Sequence, residues 1–138
     1  MMKPTIRIHV DARIDRRLEA MANALTEKAL VGIMTKRLEP MADAMRNRVD
    51  VRSGELRDSI HVGRELSPAQ AATHVPIAKV EVHAGAGPLV QAVQEEFGNF
   101  RQAPDPFVAP AFEEHGEPAA RNIAADGLEL IERAAKRG

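Results

Sequence analysis

Apolar positions change period along this chain, and each change predicts an element. In Thr5-Ile6-Arg7-Ile8-His9-Val10 they alternate with polar ones, which predicts a short strand with Ile6, Ile8 and Val10 facing inward. Asp11 then stands where a helix N-cap belongs, with Asp15 placed favourably near the positive helix end. Beyond it, Leu18, Met21, Leu25, Ala29 and Ile33 form one apolar stripe; Leu30, Met34, Leu38, Met41 and Met45 form a second, offset one. The spacing predicts one helix from about Ala12 to Arg48, roughly 55 Å if straight. Pro40 removes a backbone donor inside it and predicts a kink or break. Two stripes carry more apolar surface than one small sheet covers, so the C-terminal helix or another subunit takes the rest.

Further on, Ser53 is placed to cap a single turn, with Gly54 permitting tight approach. Ile60, Val62 and Leu66 alternate with His61, Gly63 and Glu65; Ala78, Val80, Val82 and Ala84 alternate with Lys79, Glu81 and His83. These are two strands, expected to pair antiparallel across a mobile connection at Ser67–Pro76. Gly85-Ala86-Gly87-Pro88 is a turn that delivers Pro88 to the first position of a short helix. Leu89, Val90, Val93 and Phe97 are its expected buried face, and Gly98 is its left-handed stop. Asp105 and Pro106 open a final helical region that Gly116-Glu117-Pro118 should bend or interrupt. Its apolar stripe is Ala120, Ile123, Ala124, Leu128, Ile131 and Ala135, ahead of a basic Lys136-Arg137 end. The predicted class is α+β. A small, mostly antiparallel sheet of about three to four strands is packed by one long N-terminal helix, a short helix and a C-terminal helix, in one domain over residues 1–138.

Composition sharpens one stretch. The chain has no Trp or Tyr, and its four Phe residues all lie between Phe97 and Phe112. Pro104, Pro106 and Pro110 stiffen this strap by fixing their own φ and disfavouring helix at the preceding residue. Two readings stand: a loop pinned to the core at both ends, or a docking strap that presents one surface to a neighbouring subunit.

Net charge is −1, which argues against a dedicated nucleic-acid binder, yet the charge is uneven. Residues 1–64 hold 13 Lys/Arg against 9 Asp/Glu, and residues 65–138 hold 6 against 11. Such halves either neutralise each other within the fold or form complementary faces of a head-to-tail contact. No apolar run approaches the roughly 18 residues of a membrane helix, and the first residues carry no signal-peptide core. Zero cysteines exclude disulfides and thiolate chemistry, which suits a reducing cytoplasm.

Candidate chemistry is thin. His9, His61, His74, His83 and His115 show no metal-ligand spacing. Glu95-Glu96 and Glu113-Glu114 are adjacent on helices and diverge by about 100°, so neither pair converges on one point. Ser53 and Ser59 lack a nucleophile-elbow context, and Gly85-x-Gly87 lacks a third glycine and a βαβ setting. No catalytic residue, cofactor site or metal site is expected, and no small-molecule substrate or membrane partner.

Three ordered segments carry a resemblance. They are Ser53-Gly54-Glu55-Leu56-Arg57-Asp58-Ser59-Ile60, Glu95-Glu96-Phe97-Gly98-Asn99 and Pro106-Phe107-Val108-Ala109-Pro110-Ala111-Phe112. With the long preceding helix they resemble the head–tail joining, or tail-completion, proteins of long-tailed bacteriophages, the "gene-product-ten" family of a lambdoid phage. That family reads T-G-x-L-R-x-S-I, E-F-G-T and P-F-x-x-P-A before a terminal helix. Here Ser53 stands for Thr, Asn99 for Thr, and Glu95 for an apolar residue. The resemblance implies a non-enzymatic virion protein assembled in the host cytoplasm, in a phage, prophage or gene-transfer particle. It would form a homo-oligomeric ring, six-fold by expectation, between the head connector or stopper and the tail tube or terminator. DNA would pass through without specific binding, along a lumen that is not strongly basic. Glu96, Phe97, Gly98, Phe100, Phe107, Pro110 and Arg57 are the implied subunit-interface residues. Tail terminator and head-closure roles stay open within this reading. Outside it stand a small enzyme using Glu96 with His83, and a DNA-associated regulator using the basic long helix.

Overall fold

The computed structural model describes residues 12–49, 54–66, 68–76, 78–87 and 89–137. In chain order the elements are α1 (Ala12–Ala24), α2 (Glu27–Arg48), α3 (Glu55–Ser59), β1 (His61–Gly63), α4 (Pro68–Thr73), β2 (His83–Gly85), α5 (Val90–Phe97) and α6 (Val108–Arg137). The fold is mostly helical, with α6 packed along both α1 and α2.

The long N-terminal helix is two helices, and the break is not at Pro40. Thr26 is extended (φ −69°, ψ 160°) and its Oγ1 accepts the Ala29 N–H at 3.1 Å, so it caps α2. Pro40 lies inside α2 on the exposed side. Met41, Ala42 and Met45 just beyond it are buried, and that packing outweighs the missing hydrogen bond. The same holds in α6, which runs uninterrupted through Gly116-Glu117-Pro118. There Ala111, Ala119 and Gly127 are the buried positions, small enough for close helix approach; a Cβ on Gly127 would lie 3.8 Å from Leu25 Cδ2.

Strands β1 and β2 pair antiparallel with His61 opposite Gly85, Val62 opposite Ala84 and Gly63 opposite His83. The predicted pairing is present, in a ladder of three residues per strand, and the sheet has two strands among the described residues. The predicted Thr5–Val10 strand and the Ser53 cap lie outside those residues. The connection expected to be mobile contains α4.

The core gathers where the C-terminal half of α2 meets α3 and the start of α6. Met41, Ala42, Met45, Val49, Leu56, Ile60, Phe107 and Ala111 are buried together, with Leu38, Val62, Ala84, Leu89 and Ala92 packed around them. In α5 this corrects the expected face. Leu89, Ala92 and Glu96 share a helical side directed at the core and at α6, which turns Val93 and Phe97 outward. One turn before Met41, Arg37 joins α2 to Asp126 of α6 by two hydrogen bonds, Nε to Oδ2 at 2.6 Å and Nη2 to Oδ1 at 2.8 Å. A basic-half residue here neutralises an acidic-half one inside the chain. The Asp126 pKa falls below its ordinary value chiefly through this hydrogen bond, and that of Arg37 rises.

Candidate functional site

The four Phe residues divide. Phe107 is 1% exposed and fills the core, whereas Phe97, Phe100 and Phe112 are 74%, 91% and 65% exposed. The strap between α5 and α6 explains how one segment does both.

Its two ends are tied by Glu96. One carboxylate oxygen, Oε2, accepts the N–H groups of Phe107 (2.8 Å) and Val108 (2.9 Å); Oε1 accepts that of Ala109 (3.0 Å). A helix leaves its first four N–H groups without internal partners. In α6 these belong to Phe107, Val108, Ala109 and Pro110, and Pro110 has none to satisfy. Glu96 and Pro110 thus complete the whole terminus, a role expected of Asp105. A negative charge there is also favoured by the helix dipole. Burial pushes the Glu96 pKa up, but the bonds from Val108, Ala109 and Phe107 outweigh it and the pKa is lowered.

The loop inside this clamp is preorganised. Gly98 has φ +74° and ψ 178°, an extended mirror-image conformation rather than the left-handed helical stop expected, and one that suits glycine alone. A Cβ there would lie 2.8 Å from Pro104 Cδ. Asn99 Oδ1 accepts the N–H groups of Arg101 (2.8 Å) and Gln102 (3.0 Å), and the Asp105 N–H donates to the Glu95 carbonyl at 2.7 Å. At the tip the Arg101 guanidinium lies 5.1 Å from the centre of the Phe100 ring. The loop projects an aromatic residue with a cation beside it.

The other recognisable segments serve the fold. Gly54 takes φ +76° to open α3, and Leu56 and Ile60 enter the core. Ser59 Oγ donates to the Leu56 carbonyl at 2.7 Å and accepts the Gly87 N–H at 3.2 Å. A Cβ on Gly87 would come within 3.1 Å of the Ser59 Cβ, so the turn passes close to α3 there. Ala111 is buried against α2 and Pro110 is half-buried. Of the residues implied as an interface, Phe107 offers no surface to a neighbour, and Glu96, Gly98 and Pro110 have internal roles. Phe97, Phe100 and Arg57 remain exposed, Arg57 with its Nε 3.6 Å from the adjacent Asp58.

The arrangement does not assemble the Glu96–His83 pair. The Glu96 carboxylate faces α6, while the His83 ring packs edge-on against His74 with centroids 5.1 Å apart. His74 Nε2 lies 3.3 Å from Glu81 Oε1. The sequence assigned His83 to a polar strand face without foreseeing this contact, since His74 comes from the segment read as mobile. Among the described residues no group of His, Asp or Glu has a metal-binding arrangement, and no helix is long and apolar enough to cross a membrane.

A family model described as a bacteriophage HK97-gp10 tail component matches residues 12–98. The match takes in α1 through α5 and ends at Gly98, before the Phe107 segment. No curated protein and no solved structure matches the chain.

Proposed function

We propose, from the premise that this chain belongs to the bacteriophage HK97-gp10-like tail-component family, that it is a non-enzymatic subunit of the phage neck. Copies form a ring between the head connector and the tail tube, and DNA passes through the ring. The observation that carries this reading is Phe97. Its neighbours Glu96 and Gly98 hold the fold, yet Phe97 projects into solvent beside a braced loop ending in Phe100 and Arg101. Two exposed aromatics on a preorganised support have the character of anchor residues at protein interfaces, because little ordering entropy remains to be lost on docking. The Glu96–His83 pairing that an enzyme reading needs is not assembled, because the Glu96 carboxylate is engaged by the start of α6.

The test is joining. Phe97→Ser and Phe100→Ser should change stability by no more than surface substitutions do, about 0.5 kcal/mol. Both should lose co-sedimentation with purified tail tubes or connectors. Retained joining in the double variant would remove the strap from the interface.

A further inference from the structure

A groove between α2 and α6 has a feature that nothing among the described residues explains. It is lined by Ala29, Gly32, Ile33 and Leu130, with Lys28, Lys36 and Arg133 among its charged rim residues. Gly32 stands inside α2, in its second turn, where glycine weakens a helix relative to alanine by roughly 0.5–1 kcal/mol. Close packing explains the other two α6-side glycines: Gly127 lies against Leu25, and Gly116 lies under the Phe112 ring, 3.2 Å from where its Cβ would be. At Gly32 a Cβ would meet nothing within 4 Å, and its φ is not positive. Among the described residues the bare backbone leaves room for a further group.

Charge selects the group. The groove holds four cations, Lys28, Lys36, Arg37 and Arg133, against two carboxylates, Asp126 and Glu129. Lys28 and Lys36 make no ion pair among the described residues, although Lys36 lies close enough to Asp126 to lower its pKa. The Phe100 tip carries Arg101 and would meet like charge there. Phe112 has acidic company free of the strap: Glu113, Glu114 and Glu117 flank it, with Arg121 bridged to Glu117 and Arg48 3.9 Å from Glu114, whereas Glu96 beside Phe97 is engaged by α6. Its neighbours on that face of α6, Ala109, Gly116 and Ala120, are small, and the ring lies over Gly116 with its outer side exposed.

We infer that Phe112 of one copy seats in the Gly32 groove of the next, with Glu113 facing Lys28 and Lys36. Plug and groove are different surfaces of one chain, separated along α6 by 14 to 21 residues, roughly 20–30 Å. The contact is therefore head-to-tail, and it closes into a ring when the rotation per copy divides the circle. This rests on the ring reading above and supplies its lateral contact; the strap remains for other partners.

The experiment uses full-length variants and sedimentation of each, alone and with tail tubes. Gly32→Leu fills the groove and Phe112→Ser removes the plug, both at positions with room to change. Each should weaken copy–copy association at least tenfold without lowering the melting temperature. Mixed together they should form dimers that grow no further, since each contributes one intact face. Lys36→Glu should be rescued by Glu113→Lys. Rings with unaltered affinity in both single variants would overturn the groove contact and leave the ring standing. A wild-type chain that stays monomeric alone and with tail tubes would overturn both. A lowered melting temperature in Gly32→Leu would mean that the groove is filled from within the chain. Salt-dependent binding of duplex DNA, lost in Lys28→Glu with self-association intact, would assign the groove to nucleic acid instead.

Discussion

Glu96 at the end of α5 holds the Phe107 amide at the start of α6 at 2.8 Å, eleven residues further along the chain. The relationship fixes the strap geometry, since the carboxylate also takes Val108 and Ala109 and so orients the helix it caps. Glu96→Ala should cost about 1–3 kcal/mol, the range for losing a helix cap and charge-assisted hydrogen bonds. Urea unfolding measures it. Glu96→Gln should recover part of the loss, because its single carbonyl oxygen replaces two carboxylate oxygens.

Acid should unfold the protein partly through this residue. The folded-state pKa of Glu96 is lowered, so its contribution is complete above the unfolded carboxylate value of about 4.3 and is lost as pH falls through the folded value. Asp126 is shifted in the same direction and acts in the same window. Melting temperature followed from pH 7 to pH 3 should fall less steeply in Glu96→Gln than in wild type.

Phe107 and Phe100 should separate stability from assembly. Phe107→Ala removes a fully buried ring and should cost about 3–5 kcal/mol. Phe100→Ala should change stability by less than about 0.5 kcal/mol while impairing attachment. Calorimetry and tail-joining assays on the same preparations distinguish them.

Gly98→Ala combines a backbone conformation that L-residues avoid with a 2.8 Å approach to Pro104. A cost of about 1–3 kcal/mol is expected from the backbone alone. Proteolysis should cut first in the 98–106 loop of this variant, which would show that the glycine braces the strap.

What was legible in the sequence follows from range. The two-strand pairing was visible because alternation is local and a hairpin-like return is its simplest outcome. The second stripe of the long helix was legible as apolar, but its cover was left open; Met41 and Met45 enter the core, with Leu38 against it. Thr26 was hidden by apolar positions that continue across the break, although its cap bond to Ala29 is a local pattern. Both internal prolines were over-weighted, since burial next to Pro40 and Pro118 holds the helices together. The Glu96 clamp was out of reach, because cap rules look within one turn and its donors begin eleven residues away. Phe97 and Phe107 are alike in composition and opposite in exposure, a difference set by tertiary packing.

Electron micrographs of the full-length protein mixed with purified tail tubes test the central claim most directly. The account predicts closed rings seated on tube ends, absent when both Phe97 and Phe100 are replaced by Ser in an otherwise stable chain. Particles that neither form rings nor contact the tubes, from a wild-type protein shown to be folded, would contradict it.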